Sequence, residues 1–157
     1  MLNRKTYYGL QALLFLARNM DASSVAINSI AQSLEISRKF LEKILAELGS
    51  EGLVSSKKGR SGGYFISKEL NNISLADIVR ILEGPIALLP CASHRFYEPC
   101  KECESPEKCS LQDALVNVRN STVYSLKSIK ISDILLNEEK LNQGILKPQR
   151  PIPFKEK

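Results

Sequence analysis

The chain has 157 residues, 43% of them hydrophobic, which is enough for one well-buried domain or a small domain with an appendage, and no third domain fits. The net charge of +5 is uneven, because residues 1–72 hold 10 Lys and Arg against 6 Asp and Glu, whereas residues 73–157 hold 12 against 11. The sequence shows neither a secretory signal nor an apolar run of transmembrane length, so we expect a cytoplasmic protein with no membrane partner and no structural disulfide framework.

The first predicted helix covers residues 5–19 and should pack beneath the elements that follow it. Its apolar positions recur at helical spacing on one face, which consists of Tyr7, Leu10, Leu14 and Ala17 with Leu13 beside them. Tyr7 and Tyr8 could instead be stacking platforms for bases, but aromatic residues at helical spacing are more often packing residues. We therefore expect a core helix.

Two short helices joined by a tight turn are predicted over residues 28–50. The first has an apolar face made of Ile30, Ala31 and Leu34. The second begins after Ser37 and places apolar residues at i, i+3, i+4 and i+7, namely Leu41, Ile44, Leu45 and Leu48. The link through Glu35 and Ile36 has the length that a helix-turn-helix requires.

A basic hairpin is predicted directly after these helices. Two β-prone runs, over residues 53–57 and 64–66, flank a glycine-rich loop over residues 58–63. A hairpin in this position corresponds to the wing of a winged helix, and its glycines let the backbone approach another molecule closely.

The order of these parts predicts binding to double-stranded DNA. A recognition helix presents its N-terminal residues to base edges in the major groove, while Lys and Arg on a wing neutralise phosphates or enter the minor groove. A basic patch alone could be a solvated surface. DNA binding is favoured because a helix, a turn, a basic helix and a basic wing follow one another within forty residues. The expected contact residues are Ser37, Arg38, Lys39, Phe40, Lys43, Lys57, Lys58, Arg60, Ser61, Gly62, Gly63 and Tyr64.

A further helix and then an irregular segment follow the wing. Ser74 and Asp77 have the spacing of a capping box, and the helix that they begin should end at Gly84 and Pro85. Its apolar stripe consists of Leu75, Ile78, Val79 and Leu82. Over residues 90–108 the periodicity gives way to Cys, Pro, Glu and Lys, which predicts a loop.

Three of the four cysteines lie in this loop and the fourth follows it directly: Cys91, Cys100, Cys103 and Cys109. Eight, two and five residues separate them in turn. Thiolates clustered in an irregular loop are typical of a site for a soft metal. The candidates are an iron–sulfur cluster with four cysteine ligands, a tetrahedral zinc site, redox-active thiols and inert thiols. Zinc sites of the ribbon and finger kind usually show two short pairs of cysteines, and only Cys100 and Cys103 form such a pair here. His94 also lies in the loop, but a histidine beside four thiols is more often not a ligand.

A long helix with an apolar seam is predicted from Ser110, which has capping-box spacing to Asp113. The seam recurs at steps of four and three over about 30 Å of helix, through Leu111, Leu115, Val118, Thr122, Leu126 and Ile129. Such a helix has no obvious partner within the chain, so we expect the last five of these residues to form a homodimer interface. A short helix over residues 132–141 and a loose basic tail should follow.

The whole arrangement resembles the IscR/NsrR/CymR type of bacterial transcription regulator, the Rrf2 family. The resemblance covers residues 1 to about 142 and is carried by the order of the parts, by Leu53-Val54-Ser55-Ser56, and by the wing Gly59-Arg60-Ser61-Gly62-Gly63-Tyr64. It implies a homodimer whose long helices cross at the interface. In cluster-binding members it also implies three cysteines, with five residues between each and the next, that bind a 2Fe–2S or 4Fe–4S cluster with a fourth ligand from elsewhere.

The cysteines of this chain keep part of that family spacing. Cys103 and Cys109 match one five-residue gap, but Tyr97 stands where the first cysteine is expected. Gln112 stands where iron–sulfur-biogenesis regulators place a histidine. Four thiols still suffice for a complete ligand shell, so all four cysteines are the expected metal ligands.

The sequence thus predicts a mainly α-helical protein with a small β-wing. We expect a winged helix-turn-helix DNA-binding domain over residues 1–84, a cysteine-rich cluster-binding loop over 85–109, a dimerisation helix and a short following helix over 110–142, and a flexible basic tail over 143–157.

The expected function is that of a homodimeric, non-enzymatic transcription regulator on a near-palindromic operator, controlled by an iron–sulfur cluster or by another metal or redox state. The alternatives are a zinc-binding regulator, a metal-free repressor of the cysteine-metabolism kind that a partner protein controls, and an electron-transfer or zinc-storage module.

Overall fold

The computed structural model describes residues 2–59, 62–100, 103 and 105–149. This part of the chain forms six α-helices and one two-stranded antiparallel sheet, with 3-10 turns at Leu70–Asn72, Pro90–Ala92 and Pro106–Lys108. In chain order the elements are α1 Arg4–Arg18, α2 Ile27–Ser33, α3 Arg38–Ser50, β1 Val54–Lys57, β2 Gly63–Ile66, α4 Leu75–Leu82, α5 Ser110–Ser128 and α6 Ile131–Asn142. The expected fold class, mainly helical with a small wing, is confirmed.

Helix α1 begins at a side-chain cap and packs into the core. The Asn3 side-chain oxygen accepts a hydrogen bond from the Thr6 backbone N–H at 2.9 Å, which satisfies one of the N–H groups that a first helical turn leaves free. The buried apolar residues of the helix are Ala12, Leu13, Leu14, Leu16 and Ala17.

The prediction that Tyr7 belongs to the packed face is wrong, since its side chain is 54% exposed. Tyr8 packs against the core instead, with its ring edge-to-face against Phe40 at a centroid distance of 6.0 Å. The buried face includes Thr6 and Gly9, so it is turned by about one residue from the predicted one. A Cβ atom at Gly9 would overlap the Leu82 side chain, which shows how closely α1 and α4 approach there. That approach sets the rotation of α1.

The predicted helix-turn-helix is present as α2 and α3. The turn between them requires a left-handed residue, which is Glu35 with φ of 53°. The Ile36 N–H then donates to the Ala31 carbonyl at 3.1 Å, and the Ser37 hydroxyl caps α3 by accepting from the Phe40 N–H at 3.2 Å. The four apolar residues predicted for the second helix are all buried, at 0–1% exposure.

Strands β1 and β2 form the predicted hairpin. They pair in register from Val54 with Ile66 to Lys57 with Gly63. Two hydrogen bonds of 2.8 Å join the backbones of Val25 and Tyr64, so the hairpin is also tied to the segment that precedes α2. A Cβ atom at Gly63 would overlap the Val25 carbonyl, which is why glycine occupies that position.

Helix α4 begins at the predicted capping box. The Ser74 hydroxyl accepts from the Asp77 N–H, and the Asp77 carboxylate accepts from the Ser74 N–H and hydroxyl, at 3.1 and 2.7 Å. The same region is bound to the start of α6, because the Leu75 N–H donates to the Ile129 carbonyl and the Ile131 N–H to the Ile73 carbonyl. The helix also ends where predicted, because its last residue is Leu82 and the backbone of Gly84 is left-handed with φ of 96°.

The last predicted helix is α6, and it packs on the N-terminal half. Ile131 is fully buried in the core, and Ile134 and Leu135 pack against it. A salt bridge of 3.0 Å joins Arg18 of α1 to Glu138. Of the predicted tail, residues 150–157 lie outside the described chain. Within the described part, no helix combines the length and apolar character that crossing a bilayer requires.

Candidate DNA-binding surface and cysteine loop

Helix α3 has one buried face and one basic face. Leu41, Ile44, Leu45 and Leu48 fix the helix against α1 and α4, because burying each of them removes a large apolar side chain from water. Lys39 and Lys43 are exposed on the other side. Arg38 is exposed as well and pairs with Glu42, one turn along, at 2.8 Å. A surface ion pair of this kind is weak, so Arg38 can exchange it for another acceptor.

The wing brings further basic residues beside this helix. Lys57 and Lys58 are exposed. Together with Arg38 and Asn28, they line one depression of about 310 Å³ between α2, α3 and the hairpin. Asn28 was not predicted as a site residue, and its only sequence signal is a polar side chain in the first turn of α2. Arg60 and Ser61 lie outside the described residues.

The glycines predicted for DNA binding have a structural role in the wing. A Cβ atom at Gly62 would lie 2.5 Å from the Lys57 carbonyl oxygen and 2.8 Å from that of Gly59, which is too close. Gly63 contacts Val25 in the same way. These two positions therefore give the wing its shape, whatever else they contact.

Three further predicted contact residues have partners inside the protein. The Ser37 hydroxyl is occupied as the cap of α3, and the half-buried Phe40 ring packs against Tyr8. Tyr64 is half-buried against the core, and its backbone pairs with Val25. These contacts orient the helix and the wing. They leave the exposed cations as the side chains best placed to meet a phosphate backbone.

The cysteine loop leads from α4 to the N-terminus of α5 and brings three of its thiols together. The Cys103 and Cys109 sulfurs are 3.8 Å apart, and the Cys103 backbone N–H donates to the Cys100 carbonyl at 3.4 Å. Each of the four cysteines is free and half-buried. Cys91 is tied to the same region through its backbone, because the Gln112 side-chain amide donates to the Cys91 carbonyl at 2.8 Å.

Helix α5 begins one residue earlier than predicted, and its cap is Cys109 rather than Ser110. The Cys109 sulfur accepts the Gln112 N–H at 3.4 Å, and its carbonyl accepts the Asp113 N–H at 3.2 Å. The predicted capping box of Ser110 with Asp113 is therefore wrong. The loop path decides this, since Cys109 must turn toward Cys103 at the point where the helix starts. Gln112 was not predicted as a site residue, although its distance of three residues from Cys109 is the signal that marks it.

Hydrogen bonding separates the acidities of two adjacent thiols. Hydrogen bonds with Cys100 and then with Cys109 raise the pKa of Cys103 to about 11. The N–H of Gln112, followed by the Cys103 thiol, lowers the pKa of Cys109. A thiol that accepts backbone N–H groups at a helix N-terminus ionises more readily, so Cys109 is the sulfur favoured as a thiolate.

The chemistry of this loop fits a soft metal or an iron–sulfur cluster, although the residues are not assembled around one point. At the usual zinc–sulfur distance of about 2.3 Å, two sulfurs on one tetrahedral metal lie about 3.8 Å apart, as Cys103 and Cys109 do. In the described chain, no three His, Cys, Asp or Glu side chains are arranged to hold one ion. The fit therefore rests on the nature and proximity of the thiols.

Helix α5 carries the predicted seam largely on its surface. None of its 19 residues is buried, and Leu111 and Val118 are 61% and 49% exposed. Ile129, the last residue of the predicted seam, lies just beyond the helix as its extended C-cap and is 40% exposed. The helix nevertheless has a neighbour within the chain, since its other side contacts α4 and the turn Pro90–Ala92. Within the seam, Leu115 and Leu126 are half-buried, whereas Leu111, Val118, Thr122 and Ile129 are exposed in the single chain.

Comparisons with known proteins agree with one another. The profile of the family Rrf2, described as an iron-dependent transcriptional regulator, matches residues 2–137. An Rrf2-like HTH-type transcriptional regulator of Rhodobacter capsulatus is 36% identical over 138 residues, which are 86% of this chain and 92% of that protein. The structure of CymR (YrzC), the global cysteine regulator of B. subtilis, matches with a TM-score of 0.67 and 30% identity over 85% of this chain and 95% of its own. IscR of T. potens matches with a TM-score of 0.70 and 28% identity over 90% of each chain.

Proposed function

The chain belongs to the Rrf2 family of transcriptional regulators, and from this premise we propose that it is a homodimer whose binding to a near-palindromic operator is controlled by an iron–sulfur cluster in the cysteine loop. Members of this family regulate transcription and are not enzymes. The parts of the proposal that go beyond the family are the dimer, the operator symmetry and the cluster.

The seam on α5 supports the dimer. A helix of 19 residues without one buried side chain is unusual in a folded protein, because most helical stability comes from packing an apolar face. A second copy of the same seam offers apolar residues at the matching spacing. A two-fold dimer would carry two copies of α3, and two-fold symmetry in the protein calls for a pseudo-palindromic operator.

The observation that carries the cluster proposal is the chain of thiols at the N-terminus of α5. The Cys103 and Cys109 sulfurs lie 3.8 Å apart, and the Cys103 N–H donates to the Cys100 carbonyl. Cys91 is tied to the same place because its carbonyl accepts a hydrogen bond from the Gln112 side chain. When bound there, a cluster would supply a centre whose presence and oxidation state depend on iron supply and redox conditions.

The position of Cys109 suggests how the loop could influence DNA binding. Its sulfur caps α5, so ligation of that sulfur competes with the hydrogen bond from the Gln112 N–H. Helix α5 contacts α4, and α4 contacts α3. A change in the first turn of α5 can therefore reach the recognition helix through two packed interfaces. A bias of about 1–3 kcal/mol between two arrangements is enough to regulate affinity.

The test is metal and sulfide analysis of protein purified without oxygen, together with its visible spectrum. We expect brown protein with iron and acid-labile sulfide, from thiolate-to-iron and sulfide-to-iron charge transfer. Cys103→Ser and Cys109→Ser should lose the colour, whereas Ser110→Ala should keep it. The Cys109→Ser variant is informative because serine is a good helix cap, so α5 should remain folded while the ligand is lost.

Two other results would replace the cluster proposal. Colourless protein with one zinc per chain would favour a zinc-binding regulator. Colourless protein without metal would favour the metal-free regulator controlled by a partner protein, an interpretation that the similarity to the global cysteine regulator of B. subtilis supports. In that case the four serine variants should bind the operator as the wild type does.

A further inference from the structure

A cavity of about 560 Å³ lies where the DNA-binding half meets the cysteine loop and α5. Its walls are the C-terminal end of α3, α4, the segment after α4, residues 93–96 of the cysteine loop, and the middle of α5. The volume is within the range of sites for small molecules, about 300–1,000 Å³. No cysteine is found among the described residues that line it.

Four cationic side chains line this cavity: Lys68, Arg80, Arg95 and Arg119. They come from four separate parts of the chain, so the fold brings them together. In the described chain, salt bridges form between other residues, and none of these four cations takes part in one.

The carboxylates of the cavity are largely engaged elsewhere. Glu47 forms a salt bridge of 2.9 Å with Lys5, and Asp77 accepts the hydrogen bonds of the capping box from Ser74. Lys68 lies near enough to Asp77 to stabilise its charge. Among the described lining residues, Glu51 is the one carboxylate without a salt bridge or capping hydrogen bond. The three cations Arg80, Arg95 and Arg119 therefore outnumber it. The cavity therefore has an excess of positive charge.

Among the cations of the cavity, Arg119 has a buried donor without a partner in the described chain. Its Nε is buried and has no hydrogen-bond acceptor among the residues that the structure describes. The neighbouring Nη1 donates to Asn120 at 2.7 Å, so the guanidinium is held in place. A buried donor of a charged group is costly to leave unpaired, and a guanidinium presents a fork that suits a carboxylate or a phosphate.

We propose that this cavity binds a small anionic metabolite through a carboxylate or phosphate group, with Arg119 and Arg80 as the main contacts. Its occupant would touch the recognition helix, the cysteine loop and α5 at once, which makes it a second regulatory input beside the thiols. No described cysteine lines the cavity, so the residues that would hold the anion are different from those that would hold the cluster.

The experiment is isothermal titration calorimetry on the full chain with citrate and, separately, inorganic phosphate, each up to 5 mM. We expect at least one of them to bind once per chain. Arg119→Gln and Arg80→Gln should each weaken that binding at least tenfold. Arg4→Gln removes the same charge at an exposed position outside the cavity and should bind as the wild type does. Tighter binding of citrate would indicate a carboxylate ligand, and tighter binding of phosphate a phosphorylated one.

Two controls keep the test decisive. The double variant Lys57→Ala/Lys58→Ala removes cations of the DNA-binding surface, and anion binding that disappears there but persists in Arg119→Gln would overturn the proposal. Absence of binding by both probes would overturn it as well. Binding should persist in Cys103→Ser, so failure of the cluster proposal and failure of the anion site give different results. If Arg119→Gln does not fold, Arg80→Gln decides the question.

Discussion

The recognition helix and the long C-terminal helix differ in what covers them. Helix α3 has 13 residues, and four of its apolar side chains are 0–1% exposed. Helix α5 has 19 residues and no buried side chain, although its apolar residues recur just as regularly. Regular spacing thus produces a stable packed face only where the chain itself supplies the opposing surface.

This contrast separates a region that is complete in one chain from a region that is not. The core around the winged helix is closed within one chain, with α1, α3 and α4 completed by α6 from the C-terminal end. The C-terminal region presents an uncovered seam and a group of half-buried thiols. The first region can hold the DNA-contacting side chains in place, while the second is where a partner and a ligand would act. The following changes test that division.

The largest effect on folding is expected from truncating the covered helix. Ile44→Ala removes a fully buried side chain from the centre of the core and should lower the free energy of unfolding by about 2–5 kcal/mol. Lys43→Ala, at the adjacent and exposed position, should change it by less than about 0.5 kcal/mol. Urea denaturation at equal chain concentrations measures both. Similar values for the two variants would mean that α3 is not held by its apolar face.

The next effect concerns the uncovered helix. Val118→Glu places a charge in the seam and should weaken dimerisation at least a hundredfold, about 2.7 kcal/mol, while leaving the fold of the single chain intact. Lys127→Glu adds a carboxylate about two and a half turns further along, on the opposite side of α5, and should leave the dimer unchanged. Sedimentation over a range of concentrations distinguishes them. A wild type that sediments as a monomer, or a Val118→Glu variant that still dimerises, would refute the proposed interface.

A smaller effect is expected at the wing. Lys57→Ala/Lys58→Ala should weaken binding to any duplex by about tenfold and reduce the slope of log affinity against log salt by about two, since each lost phosphate contact removes about 0.9. Lys147→Ala removes an exposed charge after α6 and should change neither quantity. Fluorescence anisotropy at several salt concentrations gives both numbers. An unchanged slope would exclude these two lysines from the DNA contact.

The smallest effect is a pH dependence of folding at the cap of α4. Burial would raise the pKa of Asp77, but its hydrogen bonds with Ser74, with Lys68 and Lys130 nearby, hold it below the usual range. A carboxylate with a lowered pKa in the folded state stabilises the fold at neutral pH, and this contribution is lost as the pH falls through the folded pKa. Below about pH 5, the free energy of unfolding should therefore fall less steeply with decreasing pH in Asp77→Asn than in the wild type. Urea denaturation at a series of pH values measures this difference. Asp113→Asn, which is exposed on α5, should follow the wild type.

The sequence by itself determined the elements whose signals are local. The spacing of Leu41, Ile44, Leu45 and Leu48 is enough to define the buried face of α3. The capping pair of Ser74 and Asp77 marks the start of α4 because both hydrogen bonds close within four residues. The wing follows from two β-prone runs around glycines. In each case the interaction lies within one short stretch, so its residues are sufficient to predict it.

Only the tertiary structure decided which face of α1 is covered and which residue caps α5. Periodicity gives Tyr7 and Leu10 the right spacing, but the close approach of α4 at Gly9 turns the helix so that Tyr8 packs and Tyr7 does not. The local pattern favours Ser110 as a cap, but the loop carries Cys109 to Cys103 and makes its sulfur the cap.

The cationic cavity likewise depends on tertiary structure, because Arg80 and Arg119 are 39 residues apart in the sequence and share one site only through the packing of α4 on α5. Long-range packing depends on the shapes of surfaces that meet, and a linear pattern of polar and apolar residues does not encode those shapes.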